Sequence, residues 1–301
     1  MVTMRIAISA ASGLIGSALA ADLEADGATV VRLVRCPARS SAEISWNPQA
    51  AEDGLDPAAL RGVDAVVHLS GAPLAAGRWT PARKAVLRSS RIQSTRAIAS
   101  AMAAADPRPG VLLCASAIGY YGDTGDRAVD ESSPGGAGFL AGLVRDWEAA
   151  AEPARAAGIR VASFRSGVVL AAGGGMLGRL LLPFRLGLGA TLGSGRQYLS
   201  WISLTDEVSA IRFLLGSAEA AGPFNLTAPA PVTNAEFTSA LATALRRPAM
   251  LRVPSVVLST ALGEVASELL GSARVMPARL EAAGFSFAHP DIATALRFEL
   301  H

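Results

Sequence analysis

A chain of 301 residues that is 51% hydrophobic and 17% charged is long enough to bury a sizeable core and too apolar to be disordered. Its formal charge is only +2, with Lys and Arg scattered rather than clustered, which argues against nucleic acid as a partner. Two cysteines, Cys36 and Cys114, give no disulfide framework, and three histidines, His68, His289 and His301, give no metal-ligand spacing, so no metal is expected.

Strand-like and helix-like segments alternate through the first half, the pattern of a parallel sheet covered by helices. MRIAIS (4–9) predicts a buried strand, GLIGSALAADLEADG (13–27) a helix closed by Gly27, and ATVVRLVR (28–35) a second strand. VDAVVHLSG (63–71) and GVLLCASA (110–117) predict two more strands, the latter burying Cys114 as a structural thiol. Between them a long helix over about 80–105 starts at Thr80-Pro81. A helix over about 138–157 leads into the strand IRVASFR (159–165). The segment 171–200 has no clean period and predicts a functional loop. Within it Pro183 and Arg185 break the apolar run, so no membrane span is expected. With no leader pattern in MVTMRIAIS, the expected location is cytoplasmic. SLTDEVSAIRFLLGS (203–217) predicts a helix capped near Thr205 or Asp206, GPFNLTAPAPVT a strand and turn, and NAEFTSALATAL (234–245) a helix capped by Asn234. The fold class is α/β: a doubly wound parallel sheet over residues 1–170, with a smaller α+β substrate lobe over 171–301 whose chain can weave back into the first domain.

The stretch ISAASGLIG (8–16) sits between the first strand and the first helix, the setting of a dinucleotide phosphate turn. Gly13 would let the backbone approach the pyrophosphate and Gly16 would let helix and strand pack closely, but the first glycine place holds Ala10. Whether that methyl is tolerated depends on its φ. Ser12, Gly13, Leu14, Ile15 and Gly16 are the predicted pyrophosphate contacts, with Leu69, Ser70 and Gly71 of the LSGAP loop beside them. The second strand ends RLVR, where an NAD site usually carries an acidic residue. Arg35, helped by Arg39, suits a 2′-phosphate, so NADP is favoured over NAD; a plain solvated arginine is the competing reading.

RWTPARKAVLRSSRIQST (78–95), SAIGYYG (116–122), DESSPGGAGFLAGLVRDWEAAA (130–151), LLPFRLGLGATLGSGRQYLSWIS (181–203), GPFNLTAPAPVTNAEF (222–237) and RVMPARLEAAGFSF (274–287) carry a resemblance that spans nearly the whole chain. The sequence resembles the atypical extended short-chain dehydrogenases, sugar-nucleotide epimerase-like oxidoreductases with a C-terminal domain of unknown function. The resemblance implies a Rossmann fold, NAD(P) binding, and a small polar or nucleotide-linked substrate. Extended relatives place a tyrosine as acid/base, a lysine four residues on, and often a glutamate after another four. On LAGLVRDWE those places fall on Leu140, Val144 and Glu148, so both usual catalytic side chains are missing.

The remaining catalytic candidates are Ser116, Tyr121, Tyr120 and Arg91. Ser116 would hold a substrate carbonyl, although strict counting from Tyr121 gives Ala117 that role. Tyr120 or Tyr121 would donate a proton, with aromatic packing as the alternative. Arg91 stands where relatives carry an asparagine, which suggests anion binding against a structural salt bridge. In GSGRQYLSWISLTDE, Arg196, Gln197, Tyr198 and Trp201 are the predicted substrate contacts, and Asp206 is read as an N-cap. Trp79, Trp147 and Glu148 are read as packing and helix-pairing residues. The function expected is an NADP-dependent oxidoreductase or epimerase/dehydratase. The rival is an NADP(H)-binding sensor or interaction module without turnover. A homodimer through the two long helices is left open.

Overall fold

Seven parallel strands form the centre of the computed structural model, which describes residues 4–50, 53–74 and 76–300. They are β1 (Arg5–Ser9), β2 (Thr29–Val34), β3 (Glu43–Ser45), β4 (Ala65–His68), β5 (Val111–Ala117), β6 (Arg160–Ser166) and β7 (Gly222–Leu226). Their spatial order is β3-β2-β1-β4-β5-β6-β7, so the direction of winding reverses between β1 and β4. In an open α/β sheet the crevice outside the carboxyl ends at such a reversal is where ligands bind. His301 lies outside the described residues.

The strands are apolar without alternation because both faces are covered. On one face Ile6, Ile8, Val67, Leu113 and Phe164 pack against α1 (Leu14–Ala25) and α6 (Leu204–Gly216). On the other, Ala7, Val31, Val66 and Leu112 pack against Ile98 and Met102 of α2 (Pro81–Ala104). The expected long helix over 138–157 is two helices, α3 (Phe139–Ala149) and α4 (Glu152–Ala156), with Pro153 in the first turn of the second. A proline at N1 or N2 starts a helix without losing a bond and cannot lie inside one without cost, so the apolar pattern runs through the break.

The segment 171–200 is more regular than its sequence suggests. It holds α5 (Gly175–Arg185), with Pro183 inside, and two short strands, Ala190–Leu192 and Tyr198–Leu199. Those strands pair far along the chain, with Leu251–Val253 and Val232–Thr233. Together α5, α7 (Asn234–Leu245) and α8 (Ile292–Leu300) enclose a core of Leu170, Leu177, Phe184, Trp201, Phe237, Leu241 and Leu296. Because β7 comes from beyond residue 170 and pairs with β6, the first sheet is completed by the second half of the chain. The caps also differ from expectation. Ser203 caps α6 and Thr233 caps α7 in a reciprocal box with Glu236, each one hydroxyl earlier than the residue chosen from sequence.

Ala10 adopts φ +53°, the left-handed region that a methyl group disfavours by about 1–2 kcal/mol. Glycine removes that cost and restores part of it as unfolded-chain freedom. Ala10→Gly is therefore expected to raise the unfolding free energy by about 0.5–1 kcal/mol in urea titrations, and a lowered midpoint would contradict this account.

Candidate active site

The turn from β1 to α1 leaves the first N–H groups of its helix without a side-chain cap. Gly13 donates its N–H to the Ala10 carbonyl at 2.9 Å, and the first bond within α1 runs from Ser17 N to Gly13 O at 2.9 Å. No side chain caps this helix, so the N–H groups of Leu14, Ile15 and Gly16 have no intrahelical acceptor. A Cβ on Gly16 would lie 2.3 Å from the Ala10 oxygen, so only glycine fits there. Ser12 and Gly13 are exposed, whereas the Leu14 side chain packs against the Gly174 and Gly175 backbone and Ile15 against the core. The side chains of Leu14 and Ile15 are thus taken up by packing.

Arg35 is exposed just beyond β2 and lines a cleft of about 530 Å³ with Ser45, Trp46, Asn47, Asp53 and Asp56. Asp56 is occupied as the acceptor for Ala58 N–H at 2.9 Å. Arg39 is exposed nearby, its backbone N–H bonded to Glu43.

Beneath the Leu69–Ser70–Gly71 loop, His68 is fully buried at the end of β4. Ser94 Oγ donates to the Ser90 carbonyl at 2.8 Å, so it accepts from His68 Nε2 at 3.1 Å. The Nδ1 atom then accepts from Ser9 Oγ at 2.8 Å, and Ser9 in turn accepts the Leu69 N–H at 2.9 Å. This neutral imidazole ties β1, β4 and α2 together directly under the crevice. Burial pushes its pKa down to about 3.

A second network occupies the carboxyl ends of β5, β6 and β7. Arg165 makes a two-pronged pair with Glu148 of α3, Nε to Oε1 and Nη2 to Oε2, both at 2.8 Å. Ser116 donates to the same Oε1 at 2.6 Å. Arg165 Nη1 donates to the Tyr121 hydroxyl at 3.0 Å, which donates onward to Asn225 Oδ1 at 2.8 Å. Burial pushes the Tyr121 phenol up despite the arginine. Tyr120 is only half-buried, its ring lying 3.5 Å from the guanidinium carbon of Arg165.

Several expected site residues are therefore placed differently. Tyr121 is 3% exposed with its hydroxyl committed in both directions, which removes it as a proton donor to substrate. Ser116 braces Glu148 instead of presenting a free hydroxyl. Trp201 is fully buried and donates to the Ala230 carbonyl, so it is core and not a substrate face. Gln197 turns into its own loop, donating to the Leu192 carbonyl at 3.0 Å. Tyr198 is half-buried beneath Arg274, and Arg196 is exposed. Asp206 is the third residue of α6 and holds the N–H groups of Ala288 and His289. Trp79 and Trp147 are buried packing residues, but Glu148 is the centre of the polar network. Arg91 is buried with its guanidinium beside Gly71, and among the described residues it forms no ion pair.

Leu140 packs against Gly119 and Val144 is buried, so neither place on α3 offers an acid or a base. The sequence reading missed Arg165, Asn225 and Glu207. A charged or amide residue closing an otherwise apolar strand, as in VASFR and GPFN, is the signal that could have found the first two.

The model of the NAD dependent epimerase/dehydratase family matches residues 6–227, and a domain of unknown function, DUF1731, matches residues 253–299. The chain belongs to the NAD dependent epimerase/dehydratase family. It is 52% identical over 294 residues to the epimerase family protein MT2273 of Mycobacterium tuberculosis, covering 97% of this chain and 96% of that one. It is 39% identical to the bovine epimerase family protein SDR39U1, covering 98% and 99%. The crystal structure of human SDR39U1 with NADPH superposes with a TM-score of 0.89 at 34% identity, covering 98% of each chain. A UDP-N-acetylglucosamine 4-epimerase from Bacillus cereus shares the fold at a TM-score of 0.78 and 16% identity. The chain is thus an atypical member of the extended short-chain dehydrogenases, and no helix among its described residues is long and apolar enough to cross a membrane.

Two predictions follow from the buried charges. Arg165 and Glu148 side chains are 4% and 16% exposed, so Glu148→Ala leaves a guanidinium uncompensated. A loss of about 3 kcal/mol or more is expected in chemical unfolding, partly restored when Arg165→Met is added. The second concerns pH. Glu207 of α6 is fully buried, with Ser166 bonded to Oε1 at 2.5 Å and Oε2 without a partner, and burial pushes its pKa up to about 8. A raised carboxyl favours folding below its ordinary value of 4.5, and that stability is lost as pH rises through 8. Glu131, Glu268 and Glu299, also raised by burial, act in the same direction. His68 acts oppositely, costing stability as pH falls from 6.5 towards 3. Stability should therefore peak on the acid side of neutral and fall towards pH 8. Unfolding titrations across that range check it, and Glu207→Gln should flatten the alkaline limb.

Proposed function

We propose that this protein is an NADP(H)-dependent oxidoreductase or epimerase/dehydratase-type enzyme, acting at a hydroxyl- or carbonyl-bearing carbon of a small polar or nucleotide-linked substrate. The observation that carries the reading is Arg35, exposed at the end of β2 beside a cleft, where a carboxylate would be needed to favour NAD. The uncapped α1 N-terminus, and the Gly16 site that no Cβ can enter, fit a pyrophosphate. The NADPH in the human relative's crystal structure supports the same choice here.

The nicotinamide, when bound, supplies hydride transfer to or from the substrate carbon. The backbone N–H groups of Leu14, Ile15 and Gly16 would hold the pyrophosphate, and Arg35 the 2′-phosphate. Tyr120 is the phenol left accessible, and it would donate its proton to the substrate oxygen during reduction and recover one from solvent. Arg165, pressed on its ring and anchored by Glu148, fixes where that hydroxyl sits. Arg196 and Tyr198 remain as substrate contacts from the C-terminal lobe. The apolar Leu140 and Val144 favour a second reading, an NADP(H) sensor without turnover.

Calorimetric titration with NADPH, NADP⁺, NADH and NAD⁺ tests the proposal. NADP(H) should bind more tightly, and Arg35→Ala should remove about tenfold or more of that affinity without affecting NADH. Absence of all dinucleotide binding, or a preference untouched by Arg35→Ala, would overturn it. Consumption of NADPH by a carbonyl substrate, slowed in Tyr120→Phe, separates the enzyme from the sensor.

A further inference from the structure

Arg91 projects from the middle of α2 and is 8% exposed, yet among the described residues it has no ion-pair partner. The only hydrogen bond its side chain makes among them runs from Nη1 to the Leu87 carbonyl of its own helix, at 3.3 Å. The Trp147 ring lies 5.1 Å from the guanidinium carbon. The charge that acts on it is a like charge, Arg83, whose guanidinium donates to the Pro73 carbonyl of the same loop. Burial and Arg83 together lower the Arg91 pKa to about 10, so the group is still cationic at neutral pH.

The orientation of the fork is the informative feature. A Cβ on Gly71 would lie 3.1 Å from Arg91 Cζ, 3.2 Å from Nη2 and 3.3 Å from Nε. The flat face of the guanidinium therefore lies against Gly71, while Nε and Nη2, the pair that makes two-pronged contacts to phosphates, carry no partner among the described residues. Gly71 is itself exposed and lies three residues past β4. Since β4 neighbours β1, this loop leaves the sheet beside the Ala10–Gly13 turn, on the side away from β2 and Arg35.

We propose that Arg91 is a dinucleotide-binding residue that holds the nicotinamide-side phosphate and ribose through Nε and Nη2, and that residue 71 has no side chain so that the guanidinium can lie beneath this loop. Arg35 and Arg91 then grip the two ends of one ligand from opposite sides of the phosphate turn. The inference rests on the NADP(H) reading above. It concerns a contact at the far end of the ligand from the one that decides NADP over NAD.

Two ligands separate the ends: NADPH, and adenosine 2′,5′-bisphosphate, which lacks the nicotinamide half. Arg91→Met keeps the apolar stem and removes the charge. It should weaken NADPH by about tenfold or more and leave the bisphosphate unchanged, whereas Arg35→Ala should weaken both. Without ligand, Arg91→Met should melt at a higher temperature, because an uncompensated buried cation is removed, while its NADPH-induced shift shrinks. Gly71→Ala, which crowds the fork and keeps the arginine, should reproduce the selective loss. Unchanged NADPH affinity in Arg91→Met, or equal loss for both ligands, overturns the proposal, as does a lowered melting temperature with NADPH affinity intact. If the wild-type protein binds the bisphosphate but not NADPH, the Arg91 assignment fails alone. If it binds neither, the cofactor reading fails with it.

Discussion

The buried pair between Arg165 and Glu148 is the interaction around which the carboxyl edge of the sheet is arranged. Burial lowers the guanidinium's pKa, and the carboxylate's hydrogen bonds and charge more than reverse that, raising it above its ordinary value. A pair of this kind offsets its desolvation only when the remaining lone pairs and protons are satisfied as well. Each remaining valence is met by a different element. Ser116 comes from β5, Tyr121 from the turn after it, and Asn225 from β7. Asn225 reaches on through Nδ2 to the Met276 carbonyl, and its own backbone N–H goes to Glu131. The segment beyond residue 270 is thereby fastened to the sheet through a chain of polar contacts that begins at one arginine.

That arrangement also accounts for the side chains missing from α3. With Glu148 committed to Arg165, the turns above it carry Val144 and Leu140, which pack against apolar neighbours and Gly119. Val144 is buried, so a lysine there would lose the hydration of its ammonium, and the carboxylate one turn away, Glu148, is already committed to Arg165.

The architecture was legible because its signals are local. Strands buried on both faces read as unbroken apolar runs, and the turn at 8–16 announces its setting by a strand before it and glycines after it. Arg35 could be found from its place at a strand end. The ordering of 171–200 was not legible, since its short strands are stabilised by partners up to 61 residues away, a pairing that no local period encodes. Trp201 and Gln197 misled for a related reason. Aromatic and amide residues in a Gly-rich stretch serve equally as ligand contacts or as core and turn supports, and only the tertiary partner decides. Glu148 was undervalued because helical spacing shows which face a residue occupies but not what lies opposite it.

Two buried guanidiniums on one edge of a sheet, treated oppositely, divide the site into a part the protein completes by itself and a part it leaves open. Arg165 has a carboxylate, a phenol and an aromatic face, and needs nothing further. Arg91 has one carbonyl of its own helix and the face of Trp147, its guanidinium lies flat against a glycine, and Nε and Nη2 have no partner among the described residues. Desolvating a charge without a partner is among the larger costs a fold can carry, and its removal is a ready route to greater stability. A cost of that kind is offset when an anionic ligand spends much of its time bound, because the charge is then paired in the populated state. The strained Ala10 turn lies on the same edge, where β1 and β4 run side by side. Strain and unpaired charge meeting at one crevice is the distribution expected of a surface shaped for what it binds rather than for its own stability.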